Sequence, residues 1–127
     1  MTEERDYSTI KPRFDRALRL RDEGRTSEAE AVLSALAEEY PAVAAVHGML
    51  GDVRERMGKL LESGESYKRA AELSPGSELA SISLFHVLYA QGDLDGAFEE
   101  MRRFRRRGPS PEYDQLISDL QLNLKDE

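Results

Sequence analysis

The chain has 127 residues, enough for one domain with a modest hydrophobic core. It has no cysteine, which excludes disulfides, thiol catalysis and cysteine-ligated metal and fits a reducing, cytoplasmic setting. The net charge of −7 disfavours general nucleic-acid binding and favours a basic partner, and the lack of any apolar run of about 18 residues argues against a membrane span.

The opening stretch MTEERDYSTIKP lacks the basic-then-apolar layout of a secretion signal, and residues 1–8 read as a disordered or frayed N-terminus. A single all-α domain is expected over 9–127. Apolar spacing predicts seven helices, at about 9–23, 27–40, 43–57, 60–73, 78–90, 94–107 and 111–124. Pro12 is expected in the first turn of its helix, where an amide would lack a partner anyway. Ser27 and Glu30 have the spacing of a capping box for the second helix. The last helix carries Tyr113, Leu116, Ile117, Leu120 and Leu124 on one stripe with a mostly polar opposite face.

One interval runs through the chain. Gly24, Gly58 and Gly92 recur at a step of 34 residues, and so do Pro41, Pro75 and Pro109. Each glycine follows the first helix of a pair, where positive φ is wanted, and each proline follows the second. Leu33, Tyr67 and Met101 keep the same step, as do Leu36, Ala70 and Phe104. Ala29, Ser63 and Ala97 form a small series, expected where two helices touch closely. Ala17, Gly51 and Phe85 form another, with a large last copy. Leu20, Arg54 and Leu88 form a third with one charged member. Repeats of this length mean stacked helical hairpins, each burying its apolar face on its neighbour, closed by an amphipathic lid.

These residues resemble the tetratricopeptide repeat family. Ala17, Gly24, Ala29, Leu33 and Pro41 match the family's pattern. Gly51, Gly58, Tyr67, Ala70 and Pro75 match it again, as do Gly92, Ala97, Met101 and Pro109. The match covers 10–109, with repeats at about 10–43, 44–77 and 78–109 and a capping helix over 110–124. Arg13, His47 and Ser81 stand where the family prefers a large aromatic, and Arg16 and Arg54 occupy usually apolar places. The resemblance implies a right-handed α-solenoid of three hairpins with a seventh capping helix. It also implies a concave groove for another protein.

The family's usual contact positions fall on Lys11, Phe14, Leu18, Arg21 and Asp22 in the first repeat. In the second they fall on Ala45, Gly48, Asp52, Glu55 and Arg56, and in the third on Leu79, Ile82, His86, Tyr89 and Ala90. The expected partner-binding groove is therefore Phe14, Leu18, Arg21, Gly48, Asp52, Arg56, Leu79, Ile82, His86 and Tyr89. Ile82, His86 and Tyr89 share a helix face, suited either to the groove or to packing under the capping helix. Gly48 is costly inside a helix and reads either as close packing or as a notch for a ligand. The family's grip on the acidic tail of heat-shock chaperones requires Lys, Asn and Arg at places that here hold Phe14, Leu18, Met49, Leu79 and Ser83. That grip is rejected.

Five arginines at 102, 103, 105, 106 and 107 form a basic run. Glu99 and Glu100 lie three or four residues ahead of Arg102 and Arg103, so ordinary helical ion pairs and the helix dipole explain the run first. His47 and His86 are the only histidines and have no metal-ligand spacing, and no nucleophile–base set is visible. No catalysis and no cofactor or metal are expected. The leading expectation is a noncatalytic adaptor that grips a peptide or helix of another protein. The alternatives are an acidic immunity protein or secretion chaperone covering a basic partner, and a homodimer through the groove or through Leu122.

Overall fold

The structure is a computed structural model that describes residues 2–120, with side chains from Tyr7 onward. Among them are seven helices: α1 (Thr2–Asp22), α2 (Thr26–Glu39), α3 (Ala44–Arg56), α4 (Leu60–Leu73), α5 (Glu78–Gln91), α6 (Leu94–Arg105) and α7 (Pro111–Asp119). Each of the first five packs on the next in sequence, and α7 rests on α5. This is the stack of three hairpins and a lid that the 34-residue step predicts. The turns follow from backbone freedom: Gly24, Gly58 and Gly92 sit at φ 78°, 77° and 85°, in the left-handed region. Leu122 and Leu124 lie outside the described residues.

Two local expectations fail, and α1 explains one of them. It starts at Thr2, so Pro12 stands inside a helix rather than in its first turn. A proline has no N–H for the carbonyl four residues back, so α1 forgoes one hydrogen bond there. The capping box of α2 does not form either. The helix begins at Thr26 with Arg25 as N-cap and no side-chain cap, which puts Ser27 inside the first turn. Glu30 turns away to accept from Arg54 Nε (3.0 Å) and Lys59 Nζ (3.0 Å). Among the described residues, side-chain caps appear only on the last three helices. Ser77, Asp93 and Ser110 accept from the backbone amides of Ala80, Gly96 and Tyr113.

Size exchange across each hairpin builds the core. Ala17 and Leu33 meet in the first cluster, which joins α1, α2 and α3. In the second hairpin Gly51 lies under the Tyr67 ring so closely that a Cβ would come within 2.8 Å of it. Ser63, fully buried, donates to the Gly51 carbonyl at 2.7 Å, so α3 and α4 touch where the small series predicts. In the last hairpin the small residue becomes Phe85. Its ring meets Phe98 and Tyr113 edge-on at 5.6 and 6.0 Å, joining α5, α6 and α7.

Each departure from the family's aromatic pattern has a polar partner. Arg13 pairs with Glu39 (2.6 Å), and His47 donates from Nε2 to the Pro41 carbonyl (2.9 Å). Ser81 Oγ donates to Glu100 Oε2 (2.6 Å), so the Tyr113 hydroxyl, 2.7 Å away, donates to Ser81. Arg103 forks onto the same carboxylate (2.8 and 2.5 Å). Burial pushes the Tyr113 pKa up, which keeps the phenol protonated as this chain of bonds requires. The polar chain pins the lid to the last hairpin.

Candidate functional site

One groove of about 620 Å³ opens on the side where α1, α3 and α5 lie next to one another. Phe14 and Arg21 come from α1. Ala44, Ala45, Gly48, Met49, Asp52 and Arg56 come from α3, and Leu79, Ala80 and Ser83 from α5. Tyr67 and Ala70 of α4 show through between them, with Ser74 and Ser77 of the following turn.

The groove thus brings together Phe14, Arg21, Gly48, Asp52, Arg56 and Leu79 of the residues expected from sequence. Phe14 serves core and groove at once, since it is only 7% exposed yet lines the wall. Leu79 is 78% exposed, an apolar side chain left facing water. The remaining four stand elsewhere. Leu18 packs half-buried on the first core cluster. Ile82, like Leu116, Ile117 and Leu120, packs half-buried on the cluster of Phe85, Met101, Phe104 and Tyr113. His86 sets its ring edge-on to Phe85, and Tyr89 stacks on Phe85 at 5.8 Å. On α5, then, Leu79, Ala80 and Ser83 face the groove while Ile82 and Tyr89 join the aromatic cluster beside the lid. The apolar stripe of α7 needs an apolar seat, and that face of α5 provides it.

The groove's charges form one chain. Asp52 Oδ2 accepts from Arg21 (3.0 Å) and from Arg56 (3.2 Å), joining α1 to α3. Arg21 also reaches Asp22 (2.9 Å) and the Met49 sulfur (3.2 Å). Partial burial works against the Arg21 charge, but its hydrogen bonds to Asp22 and Asp52 outweigh that and hold its pKa above the ordinary value. Burial, helped by Glu55, pushes the Tyr67 pKa up, so the phenol stays neutral and donates to Glu55 (3.0 Å).

Gly48 has a different environment from Gly51. A Cβ at Gly48 would meet nothing within 4 Å, so no neighbouring helix demands a glycine there. Its missing side chain leaves a notch in the groove wall. Met49, Tyr67, Ala70, Ala80 and Ser83 are groove residues that the family's contact positions do not name. The two glycines of α3 are the sequence signal for part of this set, because a helix without side chains at two neighbouring points exposes what lies behind it. Among the described residues no group of three or more His, Asp or Glu is placed to hold a metal, and no helix is long and apolar enough to cross a membrane.

Solved structures of the same shape include the Yersinia enterocolitica type III secretion chaperone SycD in complex with a peptide of the translocator YopD. That match has a TM-score of 0.75 and 19% identity, covering 90% of this chain and 88% of that one. The CopN–Scc3 complex contains another, with a TM-score of 0.77 and 12% identity over 88% of this chain and 66% of that one. At these identities the likeness is one of fold. The probable biofilm formation methyltransferase WspC of Pseudomonas putida is 31% identical over 94 residues, which is 74% of this chain. The chain spans only 22% of that relative's length. The tetratricopeptide repeat model matches residues 14–78, half of the chain. With the step of 34, the glycine turns and the stacked hairpins, this match establishes that the chain belongs to the tetratricopeptide repeat family.

Proposed function

We propose that the protein is a noncatalytic binding module whose concave groove holds a short segment, peptide or helix, of a partner protein. The observation that carries this reading is the notch at Gly48. A glycine inside a helix costs about 0.5–1 kcal/mol relative to alanine. At Gly48 no packing constraint offsets that cost, so the open space itself is the feature to explain. Phe14 and Leu79 supply apolar contact beside the notch, and the Arg21–Asp52–Arg56 chain offers polar groups that set orientation.

The named complexes of proteins with this fold, SycD with its YopD peptide and CopN with Scc3, favour one finer version. In it the partner is a protein that this chain escorts. An interface of peptide size buries less than about 1,200 Å² and is transient.

The test is a phage-displayed library of 12-residue peptides panned against the protein, with hits measured by fluorescence anisotropy. Gly48→Trp and Leu79→Asp should each weaken the hits at least about tenfold, because both alter an exposed wall at the contact. Far-UV circular dichroism should stay unchanged. Hits indifferent to both substitutions would place binding elsewhere and end the proposal.

A further inference from the structure

With no cysteine in the chain, all of its sulfur is methionine thioether. The methionines with described side chains stand in different settings. Met101 is fully buried in the last core cluster. Met57 closes α3 and packs half-buried on the first cluster. Met49 packs half-buried on that cluster too, but it also lines the concave groove, next to the notch at Gly48. A thioether is soft and open to oxidation, so a methionine on a binding wall is a place where chemistry can alter binding.

What singles out Met49 is the guanidinium beside it. Arg21 Nη1 carries two hydrogens. One goes to Asp52 Oδ2 (3.0 Å) and the other to the Met49 sulfur (3.2 Å). Arg21 Nε donates to Asp22 (3.0 Å), so two carboxylates hold the guanidinium in place against the sulfur. A thioether sulfur has two lone pairs. The Arg21 hydrogen bond takes one of them, which leaves the other to meet an oxidant. Oxygen added at one lone pair or at the other gives opposite sulfoxide epimers.

We propose that Met49 is an oxidation site that regulates the concave groove, and that Arg21 directs its oxidation to a single sulfoxide epimer. The regulation rests on the groove being the peptide site. The oxidant is hydrogen peroxide. The free lone pair of the sulfur attacks one peroxide oxygen, so the S–O bond forms as the O–O bond breaks. Hydroxide leaves and takes the proton of the new S–OH group, giving the sulfoxide and one water. Sulfur loses two electrons and the peroxide gains them. The product is polar where the thioether was apolar, and methionine sulfoxide reductases, one for each epimer, return it to the thioether. An S–O group beside the Gly48 notch opposes an apolar side chain of a bound peptide, because burying it without a partner is costly. Oxidation thus loosens the grip and reduction restores it.

The full chain is treated with hydrogen peroxide and digested, and the Met49 peptide is then exposed to each epimer-specific reductase. Mass spectrometry should show at least about a fivefold excess of one epimer, the ratio expected where the other route must first break a hydrogen bond. The same chain oxidised in concentrated urea should give nearly equal amounts of both. Arg21→Ala should do so as well, with unchanged circular dichroism. The peptides found by panning should bind the oxidised chain at least about fivefold more weakly, and the reductase for that epimer should restore them. Met57→Leu should leave this loss in place, and Met49→Leu should abolish it. Equal epimers from the folded chain, or a peroxide effect that survives Met49→Leu, would overturn the proposal. Peptides that ignore Met49 oxidation yet still lose affinity with Gly48→Trp would overturn the regulation and leave the groove standing. Peptides indifferent to Gly48→Trp and Leu79→Asp would remove the groove instead, and with it the regulation. The epimer ratio needs no peptide and decides the oxidation site in either case.

Discussion

Gly48 and Gly51 sit three residues apart on α3 and answer to different constraints. Gly51 is buried beneath the Tyr67 ring, with its carbonyl held by Ser63. Gly48 faces an open groove with nothing near the place of its missing Cβ. The same residue type is thus forced by packing at one point and left free at the other. Only the second needs an explanation outside the fold, which is why the groove rather than the core suggests a partner.

The comparison breaks if Gly51 tolerates a side chain. Gly51→Val should destabilise by about 1–3 kcal/mol through overpacking, read as a lower urea midpoint with unchanged slope. Tyr67→Leu in the same chain should recover part of the loss, since the clash is with the ring. Next in size is the effect of Gly48→Trp on binding, a loss of at least about tenfold in peptide affinity with the fold intact. Smaller is Gly48→Ala, which should raise stability by about 0.5–1 kcal/mol by calorimetry. A destabilised Gly48→Ala chain would put both glycines under the same packing rule.

The smallest effect concerns the ion bridge of Glu30 with Arg54 and Lys59. Burial works against the Glu30 charge, but hydrogen bonds to Lys59 and Arg54 prevail and hold its pKa below the usual carboxylate value. A depressed folded pKa gives stability that is present above the unfolded value and lost as pH falls through the folded one. Urea midpoints of the natural chain and Glu30→Gln should therefore differ at pH 7. They should converge as pH drops below about 4, the ordinary carboxylate range. A constant gap across that range would show that the Glu30 bridge contributes nothing through its charge.

Much of the architecture is legible without coordinates. Gly24, Gly58 and Gly92 mark turns because few other residues accept positive φ, and this is a local property. Ala29, Ser63 and Ala97 mark close helix contacts because volume is also a property of the residue. Glu30 is different. Its spacing from Ser27 fits a capping box, but Arg54, charged where Leu20 and Leu88 are apolar, draws it across the stack. Ile82 and Tyr89 were equally open to the groove or the lid from spacing alone. In the structure Ile82 packs on the cluster that joins α5, α6 and α7, and Tyr89 stacks on Phe85 while staying partly exposed.

Sequence alone determined the family, the number of hairpins and the register of the stack, because the 34-residue step, the turn glycines and the size series act over short distances along the chain. Tertiary structure decided which glycine is packed and which is open, which face of α5 reaches the groove, and which cations Glu30 meets. Those outcomes depend on what stands opposite each residue in space, at separations where periodicity no longer says which of two neighbours a side chain meets.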